Sequence, residues 1–404
     1  MPSLSGSIRG LLSRLGLVLL SCVATLGLVE GALRLVPAWS RATTRDERFA
    51  FNPYRPDGQL GFALHPGVQV RQVDRDFSVA VTVNSLGMRG PERVPSKRPG
   101  PARILLLGDS FAFGWGVEQE EAFGARLERL LTERVGPVEV WSAAVPGWST
   151  DQHYLYLHTR GLGLAPDLVL LATGENDLAE LGFDRLTLDA GRLPVRIEPM
   201  WRIIDATGRM RYLGTGPAAL PRAPWPGETW LQDHSHLYHW LRFRLAKLSA
   251  GMAVRRTRPP APEWLERDPV RPIAGLPPDE LQRALATSPE FRLRYHLFLV
   301  AAMERETRAR GIPLRTLLVA HSGETRPADP ALGGLHDACA ARPEVCLDSA
   351  RVIPASEIAR FTFAHDPHWN REGHRRIADA LTAWLAGEPT LRRAAAGKVG
   401  EGTP

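Results

Sequence analysis

The chain has 404 residues, of which 44% are hydrophobic, so it can bury the core of one large domain or two smaller ones. The formal net charge is +6 at pH 7. Its basic residues are scattered among acidic ones and form no basic run or nucleic-acid motif, which argues against a nucleic-acid-binding protein. A basic chain is also attracted to an anionic membrane surface, and this is the partner that remains.

The N-terminal segment has the pattern of a membrane anchor. Residues 1–14 are polar and positive, and residues 15–33 are nearly all apolar, close to the ~20 residues that span a bilayer. The apolar run is too long for a signal-peptide core, and it continues well past Cys22, where a lipoprotein would be cleaved. We therefore expect residues 1–36 to be an uncleaved anchor. Arginines stand on both sides of it and do not decide its orientation.

Residues 37–100 are expected to form a small β-rich segment that packs on the main domain. Residues 77–83 alternate between polar and apolar side chains, which is typical of a strand. A turn over 84–90 and a linker over 96–101 follow.

From residue 101 the pattern changes to alternating strands and helices. Apolar runs predict strands at 104–107, 138–141, 167–173, 314–320 and 344–348, and helical spacing predicts helices at 123–135, 289–310 and 371–385. Buried parallel strands lack polar alternation, and crossover helices cover both faces of their sheet. The predicted fold class is α/β, a three-layer α/β/α sandwich with a mainly parallel sheet over residues 101–388. Residues 389–404 are expected to be a disordered tail.

Residues 183–275 interrupt this alternation and are interpreted as an insertion that shapes the substrate site. Short alternating pieces at 195–197 and 201–204 predict a hairpin. A proline-rich stretch and a helix over 235–248 follow.

Metal binding is not expected. The histidines within 233–239 lack convincing carboxylate partners, and a helix start explains them better. Cys339 and Cys346 lack the further ligands of a zinc site. A local disulfide between them is the favoured interpretation if the compartment is oxidising, and two unpaired thiols are the alternative.

Ser110 follows a predicted strand directly, in the sequence Gly108-Asp109-Ser110. The carboxyl ends of parallel strands are where α/β sheets place their chemistry. A nucleophilic serine needs a base and a carboxylate that orients the base. Asp366 and His368 can supply both, because side chains two residues apart on an extended backbone project in the same direction. Taken singly, each of these residues also fits an ordinary turn, helix cap or surface position.

Four sequence blocks together resemble the SGNH (GDSL-type) hydrolase superfamily. In chain order they are Gly108-Asp109-Ser110, Gly147 after a strand, Gly174-Glu175-Asn176-Asp177, and the stretch from His368 to His374 that leads into the last helix. The resemblance implies a flavodoxin-like SGNH hydrolase domain over residues 101–388 that hydrolyses esters without a cofactor.

The resemblance also implies a role for each matching residue. Ser110 would be the nucleophile, His368 the general base, and Asp366 the residue that orients His368. The oxyanion hole would consist of the backbone N–H groups of Ser110 and Gly147 and the side-chain amide of Asn176.

The spacing of the acidic residue departs from the commoner family pattern, in which the aspartate stands three residues before the histidine. That position is His365 here, and Asp366 stands two before. The Asp-x-His arrangement resembles a branch that includes bacterial envelope polysaccharide acetylation and deacetylation proteins, which are often membrane-tethered.

The leading hypothesis is therefore a membrane-anchored serine esterase whose catalytic domain is periplasmic or otherwise extracytoplasmic. Its substrate would be an acyl ester, such as an acylated glycan or lipid of the cell envelope. One alternative is an O-acyltransferase that uses the same triad. Another is a non-catalytic envelope scaffold protein.

Overall fold

The computed structural model describes residues 4–35, 53–74, 76–95, 100–199, 202–204, 210–212, 231, 235, 237–238, 261–268, 270–325 and 327–396. The helix expected over 235–248 and most of the histidine-rich stretch 233–239 lie outside these residues.

Strands and helices are numbered here in chain order over the described residues. The strands are β1 Tyr54–Asp57, β2 Gly61–Leu64, β3 Gln69–Val73, β4 Ser78–Thr82, β5 Ala102–Gly108, β6 Val138–Ala144, β7 Leu168–Gly174, β8 Arg185–Leu188, β9 Pro194–Glu198, β10 Arg202–Ile204, β11 Met210–Tyr212, β12 Leu314–Val319 and β13 Cys346–Asp348. The α-helices are α1 Leu4–Leu35, α2 Ser110–Phe113, α3 Phe123–Val135, α4 Thr150–Tyr156, α5 Glu175–Glu180, α6 Glu263–Arg267, α7 Pro278–Thr287, α8 Pro289–Arg308, α9 Pro330–Ala340, α10 Ile358–Phe361, α11 Arg371–Leu385 and α12 Pro389–Ala396.

The main sheet has five parallel strands in the order β6-β5-β7-β12-β13. Numbered within the sheet this order is 2-1-3-4-5, the flavodoxin-like order, and its switch point lies between β5 and β7. Every residue of β5 and β7 is buried, as the absence of polar alternation predicted. The expected α/β fold with a mainly parallel sheet is confirmed, and the switch point fixes where its crevice lies.

Helices cover both faces of this sheet. Leu105 and Leu106 are neighbours on β5, so their side chains point to opposite faces. Leu106 lies against Gly124 of α3, and Leu105 lies against Gly161, which follows α4. Helix α3 packs with α11 and α12 on the first face, and α4 packs with α8 on the second. The chain therefore forms three layers.

The β-rich segment consists of the antiparallel hairpins β1–β2 and β3–β4. Buried Arg89, in the turn that follows them, donates hydrogen bonds to the carbonyls of Phe113, Gly114 and Val117. Burial lowers the pKa of Arg89 to about 10, so the guanidinium stays charged at neutral pH. The segment thus holds the loop that follows α2.

The insertion differs from its expected form. The stretch 195–197 lies in β9 and pairs with β8, whereas β10 pairs with β11. Two hairpins therefore replace the single one predicted. The reason is the turn after β8. There the backbone N–H of Arg192 donates to the Asp189 carbonyl, and that of Leu193 donates to the Asp189 carboxylate. The turn reverses the chain direction, so that β9 pairs with β8.

The expected N-terminal membrane span is not supported. Residues 4–35 form α1, but among the described residues no helix is both long enough and apolar enough to cross a membrane. Glu30, within α1, accepts hydrogen bonds from the Ser235 hydroxyl at 2.9 Å and the Leu237 N–H at 2.8 Å.

The expected disordered tail also requires correction. Residues 389–396 form helix α12, in which Leu391 and Ala395 are buried. Their spacing of four residues places them on one face of the helix, and Ala395 lies against Gly136. This face packs against α3 and β5, so the segment belongs to the domain core. Residues 397–404 lie outside the described part of the chain.

Candidate active site

The nucleophile candidate stands at a sharp turn from β5 into α2. Ser110 is the first residue of α2, and the Asp109 side chain caps the helix by accepting the Phe111 N–H at 2.9 Å. A Cβ at Gly108 would lie 2.5 Å from that of Ala112 and 2.9 Å from the Ala172 carbonyl, so only glycine fits this turn. The turn places Ser110 at the carboxyl end of β5, beside the switch point.

The loop before α11 brings a base and a carboxylate to this serine. Nε2 of His368 lies 2.7 Å from Oγ of Ser110, although the two residues are 258 apart in sequence. Nδ1 of His368 lies 2.5 Å from Oδ1 of Asp366. The same oxygen accepts the backbone N–H of His368 at 2.9 Å. The structure thus places Ser110, His368 and Asp366 in the linear order that proton transfer from a serine hydroxyl requires.

The surroundings of Asp366 keep its carboxylate ionised. Burial alone would raise the pKa of Asp366, but hydrogen bonds from His368 and the indole N–H of Trp115 bring it below its usual value. The Trp115 Nε1 lies 3.3 Å from Oδ2, and the indole ring packs 5.5 Å from the His368 ring. A negative charge is therefore available to stabilise the imidazolium that forms when His368 accepts a proton.

His365, which occupies the position of the commoner family aspartate, has a different partner. Its Nδ1 and backbone N–H each lie 2.7 Å from an oxygen of Asp76, in the turn between β3 and β4. The neighbouring Phe77 packs against Phe363, with ring centroids 5.0 Å apart. The β-rich segment therefore clamps the loop that carries His368. In contrast, His374 is buried and accepts the Phe123 N–H at 3.2 Å.

The candidate oxyanion residues lie at the neighbouring strand ends. Gly147 follows β6, whose end pairs with that of β5, and it has a φ of +88°, which favours glycine. Asn176 is the second residue of α5, the helix that follows β7, and its Nδ2 donates to Asp109, the residue before Ser110. An amide nitrogen carries two hydrogens, so one remains to serve an oxyanion.

Ionisable groups that sequence reasoning missed surround Asn176. His321, just beyond β12, lies with its Nε2 3.2 Å from the Asn176 Oδ1. Glu175 accepts the backbone N–H of His321 at 3.2 Å, and its other oxygen lies 3.5 Å from Nε2 of His336. Asp348 lies 2.7 Å from Nδ1 of the same imidazole. His321 follows a predicted parallel strand, and that position was the available signal.

Beneath Ser110, burial shifts the pKa values of Asp177 and His153 in the directions that favour their neutral forms. Burial and the negative charge of Asp109 raise the pKa of Asp177 well above its usual value. Burial lowers the pKa of His153 to about 4, although the charge of Asp109 opposes this shift. Asp177 accepts the Gly174 N–H at 2.7 Å and so orders the turn that leads to Asn176.

Cys339 and Cys346 form a disulfide, with Cα atoms 5.3 Å apart. It links α9, which carries His336, to β13, which ends at Asp348. Within the described part of the chain, no three His, Cys, Asp or Glu side chains come together as a metal site.

Residues 106–268 match the model of the GDSL-like lipase/acylhydrolase family. The chain carries a domain of this family. The matched residues include Ser110, Gly147 and Asn176. They end before His368, which nevertheless lies within hydrogen-bond distance of Ser110 in the folded chain. The domain places the chain among enzymes that hydrolyse ester bonds.

Solved structures of low sequence identity resemble the chain. A putative lipolytic protein of the G-D-S-L family from Desulfitobacterium hafniense DCB-2 is 12% identical, with a TM-score of 0.36, over 70% of this chain and 99% of its own. A catalytic mutant of an acetylxylan esterase from Geobacillus stearothermophilus is 13% identical, with a TM-score of 0.35, over 74% of this chain and 99% of its own. We draw nothing about the substrate from them. No curated protein matches the chain by sequence.

Proposed function

We propose that this protein is a serine esterase whose catalytic triad is Ser110, His368 and Asp366. The observation that carries the proposal is the 2.7 Å contact between Nε2 of His368 and Oγ of Ser110. The contact of Asp366 with the opposite ring nitrogen supports it, because this carboxylate selects the tautomer in which Nε2 can accept a proton.

In this mechanism Oγ of Ser110 attacks the acyl carbon while His368 takes its proton. The resulting oxyanion is bound by the backbone N–H groups of Ser110 and Gly147 and by the Asn176 amide. Each such donor contributes about 2.7–4 kcal/mol to transition-state stabilisation. His368 then protonates the departing alcohol. It next activates a water molecule that releases the acyl group from Ser110.

We further propose that the domain acts outside the cytoplasm, on acyl esters of an envelope glycan. The Cys339–Cys346 disulfide supports this compartment, because structural disulfides persist in oxidising environments. Comparing deacetylation of an acetylated glycan polymer with hydrolysis of p-nitrophenyl octanoate tests the substrate class. A preference for the octanoate would redirect the proposal to lipid esters.

The esterase proposal is tested with the purified full chain and p-nitrophenyl acetate. Ser110→Ala should lower kcat/KM by about 10⁴-fold or more, because the nucleophile is lost. Its circular dichroism spectrum should be unchanged, since the substitution removes only a hydroxyl at a strand end. Ser85→Ala is the matched control, because Ser85 is an exposed residue whose hydroxyl binds Glu92 in the β-rich segment.

The competing functions give different results. A folded wild type that releases no nitrophenol, yet is labelled at Ser110 by a fluorophosphonate, would favour acyl transfer to an acceptor other than water. Absence of both release and labelling would overturn the catalytic proposal and favour a scaffold protein.

A further inference from the structure

His321 lies at the carboxyl edge of the sheet without belonging to any of the four sequence blocks. Its ring stacks on buried Phe111, with centroids 4.8 Å apart and planes inclined by 26°.

The contacts of His321 fix its position from two sides. Its ring stacks on buried Phe111, the residue that follows the nucleophile. Its backbone N–H donates to Glu175 at 3.2 Å, and its Nε2 lies 3.2 Å from Oδ1 of Asn176. His321 therefore contacts Asn176, the candidate oxyanion residue. Within the described part of the chain, its ring forms no hydrogen bond with Ser110, His368 or Asp366.

These contacts determine which way the Asn176 amide faces. Its Nδ2 donates to the Asp109 carboxylate, so its Oδ1 faces His321. The opposite orientation would set Oδ1 against the carboxylate of Asp109, where both groups are acceptors. Because Oδ1 has no hydrogen to donate, the His321 Nε2 must carry the proton. Burial lowers the pKa of His321, which favours this neutral Nε2–H form.

The backbone of His321 is supported by a chain of charged groups. Glu175 accepts its N–H through Oε2, and Oε1 of Glu175 lies 3.5 Å from Nε2 of His336. Nδ1 of His336 lies 2.7 Å from Asp348, at the end of β13. The ends of β7, β12 and β13 are thus tied together around Asn176.

We propose that His321 is a positioning residue that holds the Asn176 amide with its second N–H directed at the oxyanion. This inference rests on the proposed role of Asn176. It assigns His321 no contact with the substrate and no proton transfer.

Two variants of the full chain separate the functions of the His321 side chain. His321→Phe keeps a ring that can stack on Phe111 but removes the N–H donor. His321→Gln keeps an N–H donor but removes the ring. With p-nitrophenyl acetate, His321→Phe should lower kcat by about 10- to 100-fold with little change in KM, and His321→Gln should recover most of this loss. Equal losses in both variants would overturn the proposal.

The Asn176→Ala background distinguishes positioning from a general role in folding. There, His321→Phe should have no further effect on kcat, because the amide that it orients is absent. A further loss of the same size as in the wild-type background would overturn the proposal. His158→Phe is the control for loss of a histidine, since His158 is exposed and pairs with Glu306.

Failure of the inference is distinguishable from failure of the proposed function. If Ser110→Ala retains wild-type activity, the esterase proposal itself is wrong. If Ser110→Ala and Asn176→Ala lose activity while His321→Phe does not, only the role of His321 is wrong.

Discussion

On one side of Ser110 a single loop supplies both His368 and Asp366, whereas on the other side the partners of Asn176 come from separate strand ends. The acid–base side depends on contacts between residues two apart and on a clamp from Asp76. The oxyanion side depends on contacts such as that of Asn176 with His321, which are 145 residues apart. The pairing of His368 with Asp366 forms within one loop, whereas the pairing of Asn176 with His321 requires β7 and β12 to lie side by side.

This difference bears on how precisely each side is held. In the proposed mechanism His368 exchanges its proton with two groups in turn, Oγ of Ser110 and the leaving alcohol. The proposed oxyanion donors must be in place before charge develops, because reorganisation at that moment would cost the stabilisation that they provide. The charged chain from Asp348 to Glu175 and the disulfide beside it suit that requirement.

The largest expected effect tests the acid–base side. His368→Ala should lower kcat/KM by about 10⁴-fold or more, because no base remains to accept the serine proton. His365→Ala, in the same loop, should lower it by less than about tenfold, because its exposed hydrogen bond with Asp76 contributes little. Steady-state kinetics with p-nitrophenyl acetate check both variants. A larger loss for His365→Ala than for His368→Ala would exchange their roles.

The same comparison explains how far the sequence predicts the molecule. The five sheet strands are readable because burial on both faces leaves runs without polar residues, such as β5 and β7. The triad candidates are readable because Ser110 follows a strand and because Asp366 and His368 share a loop.

The remainder depends on tertiary contacts that local patterns do not encode. His321 acquires its partner only because β12 lies next to β7. Helix α12 forms because Leu391 is buried against the core, although the small and charged residues of this segment resemble those of a disordered tail. The second hairpin of the insertion depends on strand pairing, which short alternating pieces leave undetermined.

A smaller effect is expected on the oxyanion side. Asn176→Ala should lower kcat by about 100- to 1000-fold while KM changes little, since the amide meets charge that develops only in the transition state. Asn176→Asp keeps the size of the side chain but places a second carboxylate beside Asp109, so its loss should be at least as large. If Asn176→Ala retained wild-type kcat, the oxyanion assignment would be wrong.

The smallest effect concerns the support behind that side and is a dependence of stability on pH. Burial by itself would lower the pKa of His336, but its interactions with Asp348 and Glu175 raise it to about 9. Because the pKa of His336 is higher in the folded state, its protonated form stabilises the protein. This stabilisation is complete below the unfolded-state pKa near 6.5 and is lost as the pH rises through about 9. The shift corresponds to up to about 3 kcal/mol in the free energy of unfolding.

Urea unfolding of the wild type and of His336→Gln between pH 6.5 and about 9.5 measures this contribution, because glutamine does not titrate. The difference between the two free energies of unfolding should shrink as the pH rises, since the wild type alone loses a charge. Parallel curves would show that His336 is already neutral at pH 7. In that case Glu175 faces a neutral imidazole, and its contact with His336 is dipolar rather than an ion pair. The oxyanion side and the triad side would then differ only in the geometry of their contacts.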